Sequence, residues 1–242
     1  MKKLSIVIPA FNEEKYIADV LTRVKAADIS KNGFEKDIVV VDDGSTDATA
    51  SKVKSFEGVK LISKPNAGKG SAVQRGIREA DGDWILIQDA DLEYFPEDYA
   101  VLLDALDDGG KVAVYGSRPM GQIKERGWKI PPGKHPSQRF GPWLMNAVLT
   151  LEVFLLYGKW ITDNLTAYKL YPAQILKRHN FVTTGFEGDH EITALLIRSG
   201  IAIKEVPIRY SPRGVKEGKK IRVRDGFTAL WTLLRYRFIR WK

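Results

Sequence analysis

Four times within the first hundred residues, a short run of apolar and β-branched residues ends abruptly in acids, proline or glycine. The four are SIVIPAFNEE from Ser5, DIVVVDDGSTD from Asp37, KLISKPNAGKG from Lys60 and DWILIQDADLEY from Asp83. Between them lie segments with apolar residues at helical spacing, such as YIADVLTRVKAA and GSAVQRGIREA,. A fifth run, KVAVYGSR from Lys111, extends the series. Apolar runs without alternation belong to strands covered on both faces, and regular strand–helix alternation means parallel strands joined by right-handed crossovers. The expected fold is α/β, a doubly wound, mostly parallel sheet. Ligands of such sheets sit outside the carboxyl ends of the strands, so the four polar clusters are expected to face one crevice.

At 242 residues with 44% hydrophobic residues, the chain can bury a substantial core,. It has no cysteine and three histidines (His135, His179 and His190), which excludes disulfides and thiolate metal sites and favours a hard cation held by carboxylates,. The apolar part of the N-terminal run is shorter than a signal-peptide core, so it is read as a first strand. The net charge of +8 is uneven, since residues 204–242 hold twelve Lys/Arg against three acids. Residues 1–210 are read as one catalytic domain. Residues 211–242 are read as a basic loop followed by an amphipathic helix in FTALWTLLRYRFIRWK, where Phe227, Leu230, Trp231 and Leu234 recur at helical spacing. Such a helix suits a membrane interface, and plain docking against the body is the competing reading.

Residues 117–141, SRPMGQIKERGWKIPPGKHPSQRFG, show no periodicity and read as a long loop, the kind that commonly serves as a lid or binding loop,. The apolar segment from Pro142 to Trp160 reads as a helix, buried or interfacial. Asn146 and Glu152 interrupt it short of the ~18 uninterrupted apolar residues of a spanning helix,.

Asp89, Asp91 and Glu93 crowd the end of the fourth strand, next to Asp42 and Asp43 at the end of the second. Uncompensated acids in one crevice repel, and a divalent metal carrying a polyphosphate resolves that repulsion. NAGKG, from Asn66 to Gly70, places glycines and Lys69 ahead of a helix N-terminus and reads as an anion-binding turn, although it lacks the spacing of a Walker loop,.

Taken together, SIVIPAFNEE, IVVVDDGSTDAT, NAGKGSAVQRGI, GDWILIQDADLEY and GSR resemble family 2 glycosyltransferases in order and spacing, most of all the polyprenyl-phosphate hexosyltransferases of the dolichyl-phosphate mannose synthase type. DNLTAYK, GFEGDHEI and EVPIRYSPRGVKEGKK resemble later parts of that family more loosely, and Ala167 stands where the family has glycine. The resemblance implies a sheet of the GT-A type. It implies that Pro9, Phe11, Glu13, Val41 and Asp43 hold the nucleotide, with Lys69 and Ala90 beside it. Asp89, Asp91 and Glu93 would hold Mg²⁺ or Mn²⁺ on the diphosphate, and Arg118, Arg139, Arg213 and Lys219 would receive phosphates. Asp89, Asp91, Arg118 and Glu191 are the expected catalytic residues.

A sugar hydroxyl acceptor needs a carboxylate base, whereas a lipid phosphate is largely anionic near neutral pH and needs arginines instead. Glu187, Asp189 and Glu191 keep the hydroxyl alternative open. The expected activity is inverting transfer of a hexose from a GDP- or UDP-sugar to a polyprenyl phosphate, by a protein peripheral to the cytoplasmic face of a membrane. The basic residues are assigned to phosphates and lipid headgroups, not to nucleic acid. The alternatives are transfer to a glycan hydroxyl, or nucleotide-sugar binding without catalysis.

Overall fold

The computed structural model describes residues 1–107, 109–212 and 223–239. Its strands are β1 (Lys2–Ala10), β2 (Phe34–Asp42), β3 (Val59–Ser63), β4 (Trp84–Ile87), β5 (Val112–Ser117), β6 (Lys169–Pro172) and β7 (Ala202–Pro207). They form one sheet in the order β3-β2-β1-β4-β6-β5-β7. The first four are parallel to one another, with Ile6 opposite Ile38 and Leu86. β6 alone runs antiparallel, between β4 and β5. This reversal has a consequence for the site: the segment entering β6, residues 163–168, arrives at the same edge of the sheet where the parallel strands end.

The helices are α1 (Ile17–Ala26), α2 (Thr49–Lys54), α3 (Lys69–Glu79), α4 (Tyr99–Asp104), α5 (Arg118–Arg126), α6 (Phe140–Tyr157), α7 (Ala173–Lys177), α8 (Gly188–Arg198) and α9 (Val223–Phe238). Side chains alternate across β1, so Leu4, Ile6 and Ile8 meet Ile17, Leu21 and Val24 of α1 on one face,. Val7, with Ile85 and Ile87 of β4, meets Val73 and Ile77 of α3 and Leu195 of α8 on the other. Each fully buried side chain of this size contributes about 1.5–3 kcal/mol. At Gly76, α3 lies so close to β1 that a Cβ would run into Val7.

Two expectations change. The first third of the supposed 117–141 loop is α5, opened by Ser117, whose hydroxyl accepts from the Met120 N–H at 3.1 Å, with Pro119 in the first turn,. Sequence periodicity misses it because Gln122 is its one buried side chain; the helix is held by close backbone approach, with Gly121 against Ile208. The C-terminal helix, for its part, docks against the body of the protein, as the competing reading expects. α9 packs on α6 and α8 through Ala229 and Leu233, and Tyr157 donates to the Leu233 carbonyl at 2.7 Å. Its other side leaves Phe227, Trp231 and Phe238 exposed.

Candidate active site

β4 ends in a buried clasp. Gln88 Oε1 accepts from the hydroxyls of Tyr99 and Tyr168, both at 2.6 Å, and its Nε2 donates to the Asp89 carbonyl at 2.9 Å. Burial pushes both tyrosine hydroxyls up in pKa, so they remain donors. Beyond this clasp the three expected acids diverge. Asp89 pairs with Lys69, Oδ1 to Nζ at 2.6 Å. Asp91 Oδ1 accepts the Glu93 N–H at 3.0 Å, closing a local turn,. Glu93 Oε2 accepts the Tyr210 hydroxyl at 2.7 Å.

Glu93, expected as a third metal ligand, thus gives one carboxylate oxygen to Tyr210 and anchors that residue. Among the described residues no group of three His, Asp or Glu is gathered to hold an ion. The pair Asp89 and Asp91 supplies hard oxygen donors, which suits Mg²⁺ or Mn²⁺, with the remaining ligands left to come from elsewhere. Ala90 lies between them and is buried.

At the end of β2, Asp43 organises the turn that follows β3. Its carboxylate pairs with Lys64 and accepts the N–H groups of Ala67 at 3.1 Å and Gly68 at 2.8 Å. The turn leads into α3 with Lys69 as its first residue. Burial alone would push the Lys69 ammonium down, but the charge of Asp89, backed by Asp189 and Asp91, holds it above the usual lysine range. Pro9 and Val41 are opposite each other on β1 and β2, Phe11 is exposed just beyond, and the Glu13 N–H donates to Thr49 Oγ1 at 2.9 Å. These expected nucleotide residues therefore share the edge that carries Asp43.

Arg118, at the end of β5, lies in a fork with Asp163, Nε to Oδ2 and Nη2 to Oδ1 both at 2.7 Å. Its guanidinium also stands 4.9 Å from the centroid of the Tyr210 ring. Asp163 is fully buried, and its N–H and that of Thr162 are held by Glu205 of β7. Burial raises the Glu205 carboxyl in spite of those donors. Arg118, Gln122, His135, Gln138, Trp143 and Tyr210 line a pocket here together with Asp163 and Asn146. Arg139 is exposed at the start of α6 and is not among the lining residues. Arg213 and Lys219 lie outside the described residues.

Of the three acids around α8, Glu191, the one expected to be catalytic, is placed inside the protein rather than in an open crevice. Its carboxylate is fully buried and accepts from Thr183 Oγ1 at 2.5 Å, the Thr183 N–H at 3.0 Å and the Val182 N–H, with His179 Nε2 at 3.3 Å. Burial would raise its pKa, but these bonds hold it below the usual carboxylate range. Glu187 accepts the Gly185 N–H at 3.1 Å. Asp189 is the member of the trio whose charge reaches Lys69 and Lys169, and it lines a second pocket with Lys69, Gln74, Phe186 and Ile192.

The sequence reading missed Asp163, Tyr210, Gln88 and Lys169. Lys169 is fully buried, donates to the Asn164 carbonyl at 3.1 Å and lies 5.0 Å from the centroid of the Tyr115 ring. Burial pushes its ammonium down, opposed by Asp189 and Asp163. The available signal was a cation inside the apolar run AYKLYP, which is unusual for a central strand.

Several known proteins are similar to this chain in sequence or in fold. A 130-residue stretch is 36% identical to the dolichol-phosphate mannosyltransferase of Pyrococcus furiosus, covering 52% of this chain and 36% of that one. The dolichyl-phosphate beta-glucosyltransferase of Trichomonas vaginalis is 28% identical over 86% of this chain and 65% of its own length. A low-salt glycan biosynthesis hexosyltransferase of Haloferax volcanii is 30% identical over 87% of this chain and 48% of its own. This chain thus spans between about a third and two thirds of these relatives. The fold is shared with glucosyl-3-phosphoglycerate synthase of Mycobacterium tuberculosis, solved with Mn²⁺, UDP and glucosyl-3-phosphoglycerate: TM-score 0.66 at 22% identity, over 99% of this chain and 81% of that one. The family model for glycosyl transferase family 2 matches residues 5–178, so the chain belongs to that family and is a glycosyltransferase.

Proposed function

We propose that this glycosyltransferase moves a hexose, with inversion, from a nucleoside-diphosphate sugar to a polyprenyl phosphate at the cytoplasmic face of a membrane. The observation that carries this reading is the two-sidedness of α6. Its inner side holds the segment that presents Asp163: Asn146 Oδ1 accepts the Asn164 N–H at 2.9 Å, Asn146 Nδ2 donates to the Thr162 carbonyl at 2.7 Å, and Thr150 donates to the Ile161 carbonyl at 2.7 Å. Its outer side exposes Phe140, Leu144, Val148, Leu151 and Leu155 at intervals of three and four residues,. One helix thus joins the Arg118 pocket to an apolar surface. An amphiphile with a phosphate head and a hydrocarbon tail fits both parts, and so does the surface of a bilayer.

Phe140–Tyr157 is, among the described residues, the helix long and apolar enough to cross a membrane, and 22% of it is buried. α9, which packs against α6, also exposes Phe227, Trp231 and Phe238, on the helix whose last turn carries Arg235 and Arg237. The names of the Pyrococcus and Trichomonas relatives agree with this reading.

In the proposed reaction, Asp43 and the turn it holds, with Pro9, Phe11, Glu13 and Val41, seat the nucleotide. Asp89 and Asp91 would hold Mg²⁺ or Mn²⁺, a Lewis acid that stabilises the charge gathering on the leaving diphosphate. Lys69 faces the same charge. Arg118, oriented by Asp163 and Tyr210, holds the acceptor phosphate, whose oxygen is already anionic and needs no base.

A second reading has its own support. Asp189 lines a pocket together with Lys69 and is the carboxylate that would serve as base toward a hydroxyl acceptor. The test is to supply purified protein and Mn²⁺ with labelled UDP-glucose or GDP-mannose, and either undecaprenyl phosphate in detergent or soluble acceptors including 3-phosphoglycerate. The reading expects label in the lipid. Label appearing only in a soluble acceptor would overturn it.

A further inference from the structure

Lys69 is built into its place more firmly than an ordinary phosphate-seeking lysine requires. Its ammonium lies 2.6 Å from Asp89 Oδ1 and 5.6 Å from the centroid of the Phe186 ring. On one side, Asp43 fixes the N–H groups of Ala67 and Gly68, the latter at φ +97°. On the other, the strap at residues 183–186 closes over the start of α3. The Ser71 N–H donates to the Thr184 carbonyl at 3.1 Å and Gln74 Nε2 to the Thr183 carbonyl at 2.5 Å. A Cβ at Gly68 would come within 2.6 Å of the Thr184 oxygen, and one at Gly70 within 2.6 Å of the Gly185 oxygen. Thr183 in turn hangs on the buried carboxylate of Glu191.

A continuous chain of contacts therefore runs from Glu191 through the strap to Lys69, and delivers a positive charge onto the first acid of Asp89-Ala90-Asp91. The two side chains are only 21% and 22% exposed, so their attraction is screened less than that of a surface pair,. A divalent ion arriving alone meets a carboxylate that already has a fixed cation, with Asp91 engaged in its own turn. A nucleoside diphosphate changes the balance, because its oxygens offer the ammonium a second anion of higher charge.

We propose that Lys69 is the resident counter-ion of Asp89, and that it makes divalent-ion binding conditional on a nucleoside diphosphate, whose oxygens draw the ammonium off the carboxylate as the metal enters. The identity of the anion rests on the nucleotide-sugar reading above; the Lys69–Asp89 pair does not.

The experiment measures Mn²⁺ binding by electron paramagnetic resonance, with MnCl₂ alone and with UDP or GDP added, in wild-type protein, Lys69→Met and Lys69→Arg. Wild type and Lys69→Arg should bind Mn²⁺ alone weakly, and in wild type UDP or GDP should tighten it by about tenfold or more. Lys69→Met should bind Mn²⁺ alone about tenfold tighter than wild type and gain less from nucleotide. Circular dichroism checks folding, and Lys69→Gln replaces the Met variant if that one is unfolded. A neutral variant that binds Mn²⁺ alone no tighter than wild type overturns the counter-ion assignment. If the neutral variant gains affinity but neither nucleotide tightens the wild type, the conditional half falls together with the nucleotide-sugar reading.

Discussion

Arg118 and Asp163 meet in a two-point fork, both contacts at 2.7 Å, with the carboxylate fully buried and the guanidinium over the ring of Tyr210. The fork fixes the plane of the guanidinium and leaves Arg118 lining the pocket that faces α6. Breaking a buried pair from one side costs about 3–5 kcal/mol, because the partner charge is left uncompensated. Asp163→Ala should therefore lower the thermal midpoint strongly in a melting experiment. Arg118→Lys keeps the charge but loses the planar fork, and steady-state kinetics should show the acceptor KM rising about tenfold or more while the donor KM changes little. Equal effects on both would separate Arg118 from the acceptor.

Asp91→Ala removes one of the acids proposed to hold a metal. Transfer should fall by about a thousandfold or more, the scale of several kcal/mol of charge stabilisation, with the protein still folded by circular dichroism. Undiminished Mn²⁺-dependent turnover would remove Asp91 from the site.

Asp189 and Glu191 are two residues apart and should behave oppositely. Glu191→Ala leaves the Val182 and Thr183 donors without their acceptor. It should cost stability on the order of 3 kcal/mol, visible as a lower urea midpoint. Asp189→Asn should leave the melting temperature nearly unchanged and reduce transfer to a lipid phosphate less than tenfold. A loss of a thousandfold in that variant would favour a hydroxyl acceptor.

Glu152 gives α6 a pH dependence. Its Oε2 is buried without a hydrogen-bond partner among the described residues, and burial raises the carboxyl from an ordinary 4.5 to about 7. The native state thus keeps this proton where the unfolded chain has lost it, so the contribution is fully present below pH 4.5 and is lost as pH rises through about 7,. Solvent screening at this partly buried position reduces the effect to on the order of 1 kcal/mol. Glu152→Gln should stabilise the protein at pH 8 and not at pH 4, as read from urea midpoints. Equal shifts at both values would contradict the assignment.

The apolar side of α6 can be tested without chemistry. Leu151 and Leu155 are 51% and 71% exposed, so Leu151→Asp with Leu155→Asp should leave the melting temperature within a few degrees. The same pair should reduce co-sedimentation with anionic lipid vesicles by about tenfold. Unchanged sedimentation would argue against α6 as the contact surface.

Much of this arrangement is legible in the sequence because it depends on local patterns. The runs around Ile6, Val39 and Ile85 show a sheet covered on both faces, and the acids after them mark its carboxyl edge. What was not legible depends on contacts distant in the chain. Glu93 has the spacing of a ligand, yet Tyr210, more than a hundred residues later, takes its carboxylate. Glu191 looks available on an acidic helix start, yet the backbone at 182–183 folds onto it. Asp163 and Lys169 reach the site only because β6 runs antiparallel, which no local pattern announces. α5 is held by Ser117 capping and by Gly121 against Ile208, so it lacks the apolar stripe by which helices are recognised.

The central claim is that the accepting atom is a phosphate oxygen of a membrane lipid. The direct measurement supplies the enzyme, Mn²⁺ and labelled donor with a polyprenyl phosphate or with the same polyprenol lacking phosphate, and examines the lipid product by ³¹P NMR. A phosphodiester-linked hexose formed from the phosphate and not from the alcohol is the predicted result. A glycoside formed on the alcohol, or transfer only to soluble hydroxyl acceptors, would contradict it.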